Sequence, residues 1–166
     1  MFKRLLTTRS LCLSAIIAAL YAALTLALPM LSYGTIQCRF AEAMTILPAL
    51  FPQAIPGLTV GCLIANLMSP VGVPDIVFGT LATLLAAIAS WMTRHSRAGR
   101  FPILSAVWPV LSNALIVGIM LSVCYQLPAI LTILEVGAGE LVAVAIGVLL
   151  FPLLDSNPQL KEFACV

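Results

Sequence analysis

AMTILPALFPQAIPGLTVGCLIANLMS, Ala43 to Ser69, contains no charged residue and three prolines, Pro48, Pro52 and Pro56. Two readings compete: one kinked membrane span, or two short helices joined at the turn FPQAIPG, Phe51 to Gly57. Each proline removes a backbone donor and crowds the carbonyl one turn back, so the prolines alone permit both. Neither half reaches the roughly 20 residues that cross a bilayer at a right angle. The flanking charges decide. Lys3, Arg4 and Arg9 precede the first apolar run, and Arg94, His95, Arg97 and Arg100 form a second basic cluster. Two short helices put both clusters on one side of the membrane, whereas one kinked span would export the second, against the excess of Lys and Arg in cytoplasmic loops. The expected fold is therefore an all-α membrane protein with six transmembrane helices and cytoplasmic N- and C-termini.

Composition agrees with that class. Hydrophobic residues make up 62% of the 166 positions and charged residues 8%, with a mean hydropathy of +1.15. A soluble domain carries about 25% charged residues. Six acidic and eight basic side chains cannot clothe a core of this size in water, so lipid has to cover it. The apolar segments run at about 10–30, 43–54, 56–69, 76–93, 102–124 and 128–153, within a single integral-membrane domain covering 1–166. Leu11 to Leu28 is longer than the apolar region of a secretory signal, which makes it a retained first helix. A net charge of +2 makes no case for nucleic acid. Cys12, Cys38, Cys62, Cys124 and Cys165 show no C-x-x-C spacing and no histidine pairing, so no metal site is expected. Cys38 and Cys124 both fall on the outer side, where a disulfide is an option beside the plainer reading of small apolar filler.

The same topology sorts the acids. Glu42, Asp75, Glu135 and Glu140, four of the six carboxylates, face outward, with Arg39 as the basic residue on that side. Charge at the hydrocarbon edge is costly without water or a partner, so this gathering points to a polar cleft open to the exterior. Asp75 is expected to cap the fourth helix. Glu135 is a solvated residue or a ligand contact. Glu140, inside VGAGELVAVAIGVLL, is expected to meet a partner or a ligand. Arg39 and Glu42, three apart, are neighbours on one helical face, as a structural ion pair or as part of a binding site. Asn113 bonds an adjacent helix or a ligand, and Asn66 is a plain cap. Ala15, Ala19 and Ala23, with Ala18 and Ala22 beside them, give the first helix a flat face, repeated more weakly by Gly79, Ala82, Ala86 and Ser90 in the fourth. Such faces serve packing within the bundle or docking to a partner. No phosphate loop, Ser/His/Asp set or H-E-x-x-H motif is present, and His95 lies in a basic loop, so an enzyme is not expected.

The blocks IQCRFAEAMTILPALFPQAIPGLTVGCLIANL, DIVFGTLATLLAA, PVLSNALIVG and VGAGELVAVAIGVLL resemble, in order and spacing, the queuosine-precursor transporter family, over about Tyr33 to Leu150. The resemblance is carried most by R-x-x-E-A-x-T-x-L-P, starting at Arg39, and by S-N-A-L-I-V-G, starting at Ser112. It departs at Cys38, before the arginine, and in the short tail. The resemblance implies a substrate-binding S component of an energy-coupling factor (ECF) importer in the cell membrane of a prokaryote. Implied partners are a membrane coupling protein and two ATPase subunits, with no cofactor on this chain. The implied ligand is a 7-deazaguanine or queuine, and the implied docking face is Ala15, Ala19 and Ala23. The ligand's guanine-like edge offers two donors beside an acceptor oxygen, suited to Glu140 with Asn113. Glu42 or Glu135 then meets an aminomethyl cation. Arg39 with Gln37 donates to the base or holds Glu42, and Tyr33, Phe40 and Tyr125 are stacking candidates or interface anchors. An S component for another vitamin and a stand-alone carrier remain as alternatives.

Overall fold

The computed structural model describes residues 7–32 and 39–158. Its elements are all helices: α1 Thr8–Ala27, followed by the single turn Pro29–Ser32, then α2 Phe40–Ala49, α3 Ala54–Asn66, α4 Asp75–Met92, α5 Ile103–Tyr125 and α6 Ala129–Ser156. Among the described residues, extended pairing is limited to an isolated bridge between Ala98 and Phe101. Among the described residues, four helices, α1, α4, α5 and α6, are long and apolar enough to cross a membrane. The ambiguous proline-rich stretch forms two separate helices of 10 and 13 residues, broken before Ala54.

These two short helices reach similar lengths by different means. α2 is a 3-10 helix with Pro48 inside it, and at about 2.0 Å per residue it extends about 20 Å. α3 is α-helical and covers about the same distance at about 1.5 Å per residue. Each falls short of the roughly 30 Å of hydrocarbon. α2 also starts earlier than the apolar pattern indicates, at Phe40, so that Glu42 lies in its first turn.

Small residues bring the helices close. A Cβ on Gly57 would lie 2.8 Å from the Ser14 carbonyl oxygen, and one on Gly61 would lie 2.8 Å from both the Ala18 carbonyl oxygen and the Tyr21 Cβ. α1 therefore rests directly on the Gly57–Gly61 face of α3. Ala18 and Ala22 are buried in this contact, while Ala15, Ala19 and Ala23 point outward. In α4 the corresponding stripe points in: Gly79, Ala82, Ala86 and Ser90 are all buried. Apolar side chains cover the outside, with Ile16, Leu20, Leu134, Leu141 and Leu149 among the exposed ones, as expected where lipid is the solvent.

Backbone groups inside such a bundle need partners within the protein. Pro109 in α5 has no N–H for the carbonyl four residues back, that of Ser105. The Ser90 hydroxyl donates to it at 2.7 Å, and the Ser105 hydroxyl donates back to the Ser90 carbonyl at 2.9 Å. Just beyond Pro109, α5 widens into a π turn, Asn113–Val117, and α4 opens with a second, Asp75–Gly79. The two π turns touch each other. At the other end of the bundle, Arg97 in the basic loop pairs with Asp155 near the end of α6 at 3.0 Å, and Arg94 stacks on Trp91.

Candidate functional site

Half-way along α5 and α6, a cavity is lined by Arg39 just before α2, Glu42 in α2, Asn113 and Val117 in the π turn of α5, and Val136 and Glu140 in α6. Local structure brings these residues together. The first turn of α2 carries Glu42 inward, the widened turn of α5 presents Asn113, and Val136 and Glu140, four apart, share one face of α6. A tight approach closes α6 on α2: a Cβ on Gly147 would clash with the carbonyl oxygen of Ala43, the neighbour of Glu42. The four polar residues are buried, with exposures of 6% for Arg39, 1% for Glu42, 6% for Asn113 and 4% for Glu140. The enclosed volume is about 10 Å³, room for about one water molecule.

Three polar atoms in this cavity make no hydrogen bond of normal geometry, Glu42 Oε2, Asn113 Nδ2 and Glu140 Oε1, although the three side chains lie close enough to interact with one another. Buried polar atoms are paired in the great majority of cases, so three orphans around one small space mark a site for something else to complete. The set amounts to two carboxylate acceptors and one amide donor between two valine walls. The other oxygen of Glu42 accepts a hydrogen bond from the buried hydroxyl of Tyr21 in α1.

Arg39 also belongs to a second cluster. Its guanidinium donates to the Ser32 carbonyl at 3.1 Å, to Asn66 Oδ1 at 3.1 Å and to Asp75 Oδ2 at 3.0 Å. The Asn66 amide donates in turn to the Asp75 carbonyl at 3.0 Å and lies 3.3 Å from the Cys62 sulfur. Two expectations are corrected here. Asp75 makes no side-chain cap for α4; it is the buried ion-pair partner of Arg39. Asn66 is not a plain cap either, because its side chain bridges Arg39 to the start of α4. The ion pair of Arg39 thus forms with a residue 36 positions away, while Glu42 takes the Tyr21 hydroxyl.

Among the residues singled out from the sequence, Glu140, Asn113, Arg39 and Glu42 converge on the cavity. Glu135 is half-buried one turn earlier in α6 and is not among the residues that line it. Tyr33, Gln37 and Cys38 lie outside the described residues, and Cys124 is a free thiol. Phe40 and Tyr125 are exposed, as interface anchors are. Among the described residues, no group of three or more His, Cys, Asp or Glu side chains is placed to hold a metal. Tyr21 escaped the sequence reading; its one signal was a phenol inside an apolar helix, where a buried hydroxyl needs a partner.

A model of the QueT transporter family matches residues 11–156. The chain belongs to the QueT transporter family. Among curated proteins, the "Queuosine precursor transporter QueT" of Lactococcus lactis subsp. cremoris (strain MG1363) is 40% identical over 73 residues. That stretch is 43% of this chain and 43% of the relative, so the similarity spans less than half of either. No solved structure matches the chain. The family is one of transporters, not of enzymes, and the apolar helices of the chain agree with a multi-pass membrane protein.

Proposed function

We propose that this chain is the substrate-binding subunit of an ECF-type, ATP-driven importer for a queuosine precursor, and that the cavity between α2, α5 and α6 is the ligand site. One observation carries the reading: buried polar atoms of Glu42, Asn113 and Glu140 that lack well-formed hydrogen bonds meet in one cavity. The name of the Lactococcus relative supports the ligand class. A 7-deazaguanine offers the complementary pattern. Its ring N–H and amino group donate to Glu140, its carbonyl oxygen accepts from the Asn113 amide, and an aminomethyl cation meets Glu42. Arg39, held by Asp75 and Asn66, walls the cavity and offsets part of the negative charge. Gln37, Tyr33 and Glu135 are proposed as further ligand contacts.

In this reading the two short helices complete six spans, both termini are cytoplasmic, and the basic loop Arg94–Arg100 faces the cytoplasm of a prokaryotic cell. The outward face of α1, with Ala15, Ala19 and Ala23 free of internal packing, docks a membrane coupling protein that joins two ATPase subunits.

Calorimetry on the purified chain with 7-aminomethyl-7-deazaguanine tests the site, and tight one-to-one binding is expected. Heat-silent titrations across the deazaguanines would end the ligand assignment. Ala19→Trp is expected to leave binding intact and to abolish uptake with the partner subunits. Uptake into vesicles holding this chain alone would overturn the ATP-driven part and favour a stand-alone carrier.

A further inference from the structure

We propose that Tyr21 is a positioning residue that sets the Glu42 carboxylate for the cationic group of the ligand, and that α1 thereby controls how tightly the ligand is held. The proposal rests on the reading of the cavity as the binding site. Tyr21 does not line the cavity, so it acts through Glu42. Its ring is fully buried, and its hydroxyl donates to Glu42 Oε1, leaving Oε2 as the unpartnered oxygen. A carboxylate on a flexible stem has two equivalent acceptors and several rotamers. A bond from a fixed donor to one oxygen selects the rotamer and decides which oxygen the ligand meets.

The donor is itself fixed. Tyr21 packs at the closest approach of α1 to α3, over Gly61, between the buried Ala18 and Ala22. Its carbonyl accepts from the Thr25 hydroxyl at 2.9 Å. The opposite face of the same helix carries the exposed Ala15, Ala19 and Ala23. A partner that pulls α1 away from α2 withdraws the hydroxyl from Glu42 and weakens the ligand. By linkage, a bound ligand resists that displacement to the same degree.

Tyr21→Phe keeps the ring that fills the space over Gly61 and removes only the donor. In the purified full-length chain, its affinity for 7-aminomethyl-7-deazaguanine is expected to fall about tenfold, as for a lost hydrogen bond to a charged group. Its affinity for the neutral cyano analogue is expected to stay within about twofold, because that probe places no cation on Glu42. Selectivity between the two probes therefore collapses. Equal losses for both probes would show a packing role and overturn the proposal, as would unchanged affinity for both. A wild-type protein that binds neither probe removes the binding assignment and this proposal with it, and one that binds both without favouring the cation removes this proposal alone. A wild type that favours the cation, with a Tyr21→Phe variant that still does, removes this proposal alone.

Discussion

Arg39, Asn66 and Asp75 on one side, and Glu42, Asn113 and Glu140 on the other, are buried to similar degrees and meet at Arg39, which belongs to both groups. The first set is largely closed on itself: guanidinium, amide and carboxylate answer one another, with Asp75 Oδ1 left over, and the segment before α2, the end of α3 and the start of α4 are tied at one point. The second set leaves two acceptors and a donor aimed into a small space. A closed polar network fixes a fold, whereas an open one stores unmet hydrogen-bonding capacity that only a ligand relieves. The two sets should therefore fail in opposite ways when cut.

The largest effect is expected from Asp75→Ala. It leaves the Arg39 guanidinium buried without its counter-charge, and removing one partner of a buried ion pair costs about 3–5 kcal/mol. Unfolding of the purified protein in detergent, followed by helical circular dichroism, measures it. A loss below about 1 kcal/mol would mean that the network is incidental to the fold, and the contrast between the two sets would disappear.

Glu140→Gln is expected to do the reverse. Ligand affinity falls by about 2–3 kcal/mol, the scale of a hydrogen bond to a charged group, while the ligand-free protein is at least as stable as before. The substitution takes away a buried carboxyl group with an oxygen that makes no well-formed hydrogen bond, so the empty protein loses nothing by it. Such a trade of stability against function is expected at a binding site and not in a structural clamp. Destabilisation of the empty protein with affinity unchanged would move Glu140 into the structural class.

A third substitution probes the wall that the cavity shares with α6. Gly147→Ala forces a methyl group against the Ala43 carbonyl oxygen, a backbone atom that has to move. Overpacking of this kind costs about 1–2 kcal/mol. Because Ala43 is next to Glu42, the shift also disturbs the ligand side, so stability and affinity are expected to fall together. A loss of stability alone would show that the cavity tolerates movement of α2.

These contrasts bear on what was legible beforehand. Glu140 and Asn113 stood out because polar groups are costly inside apolar runs, and that cost is local, visible in the residues on either side. The division of the proline-rich stretch into two helices was also readable, from loop charges on either side of it. The partner of Arg39 was not. Three-residue spacing favoured Glu42, but the ion pair closes over 36 positions to Asp75, and which distant segments meet depends on how helices stack. Small residues show the same limit. The stripes in α1 and α4 look alike in the sequence, yet α4 turns its stripe inward, while α1 shows Ala15, Ala19 and Ala23 to the outside and packs Ala18 and Ala22. Alternation every four residues gives a face and does not say which way it points. Tyr21 combined both difficulties, since its meaning lies in a hydrogen bond to another helix.

The smallest effect comes from a pair that copies the geometry of the clamp in a different medium. Arg97 and Asp155 lie 3.0 Å apart, the same separation as Arg39 and Asp75, but their side chains are 34% and 36% exposed against 7% and 0%. Water screens the exposed pair and solvates either partner left alone, so breaking it costs at most about 1 kcal/mol. Arg97 also lies over the Phe151 ring, 5.1 Å from its centre, and glutamine keeps part of that contact. Arg97→Gln is thus expected to shift unfolding by under about 1 kcal/mol, and the shift should shrink further in high salt. Asp75→Ala should show no such salt dependence, since its partner is shielded from ions. If the two substitutions cost the same, distance rather than burial sets the strength of these ion pairs, and the difference drawn between the clamp and the surface loses its physical basis.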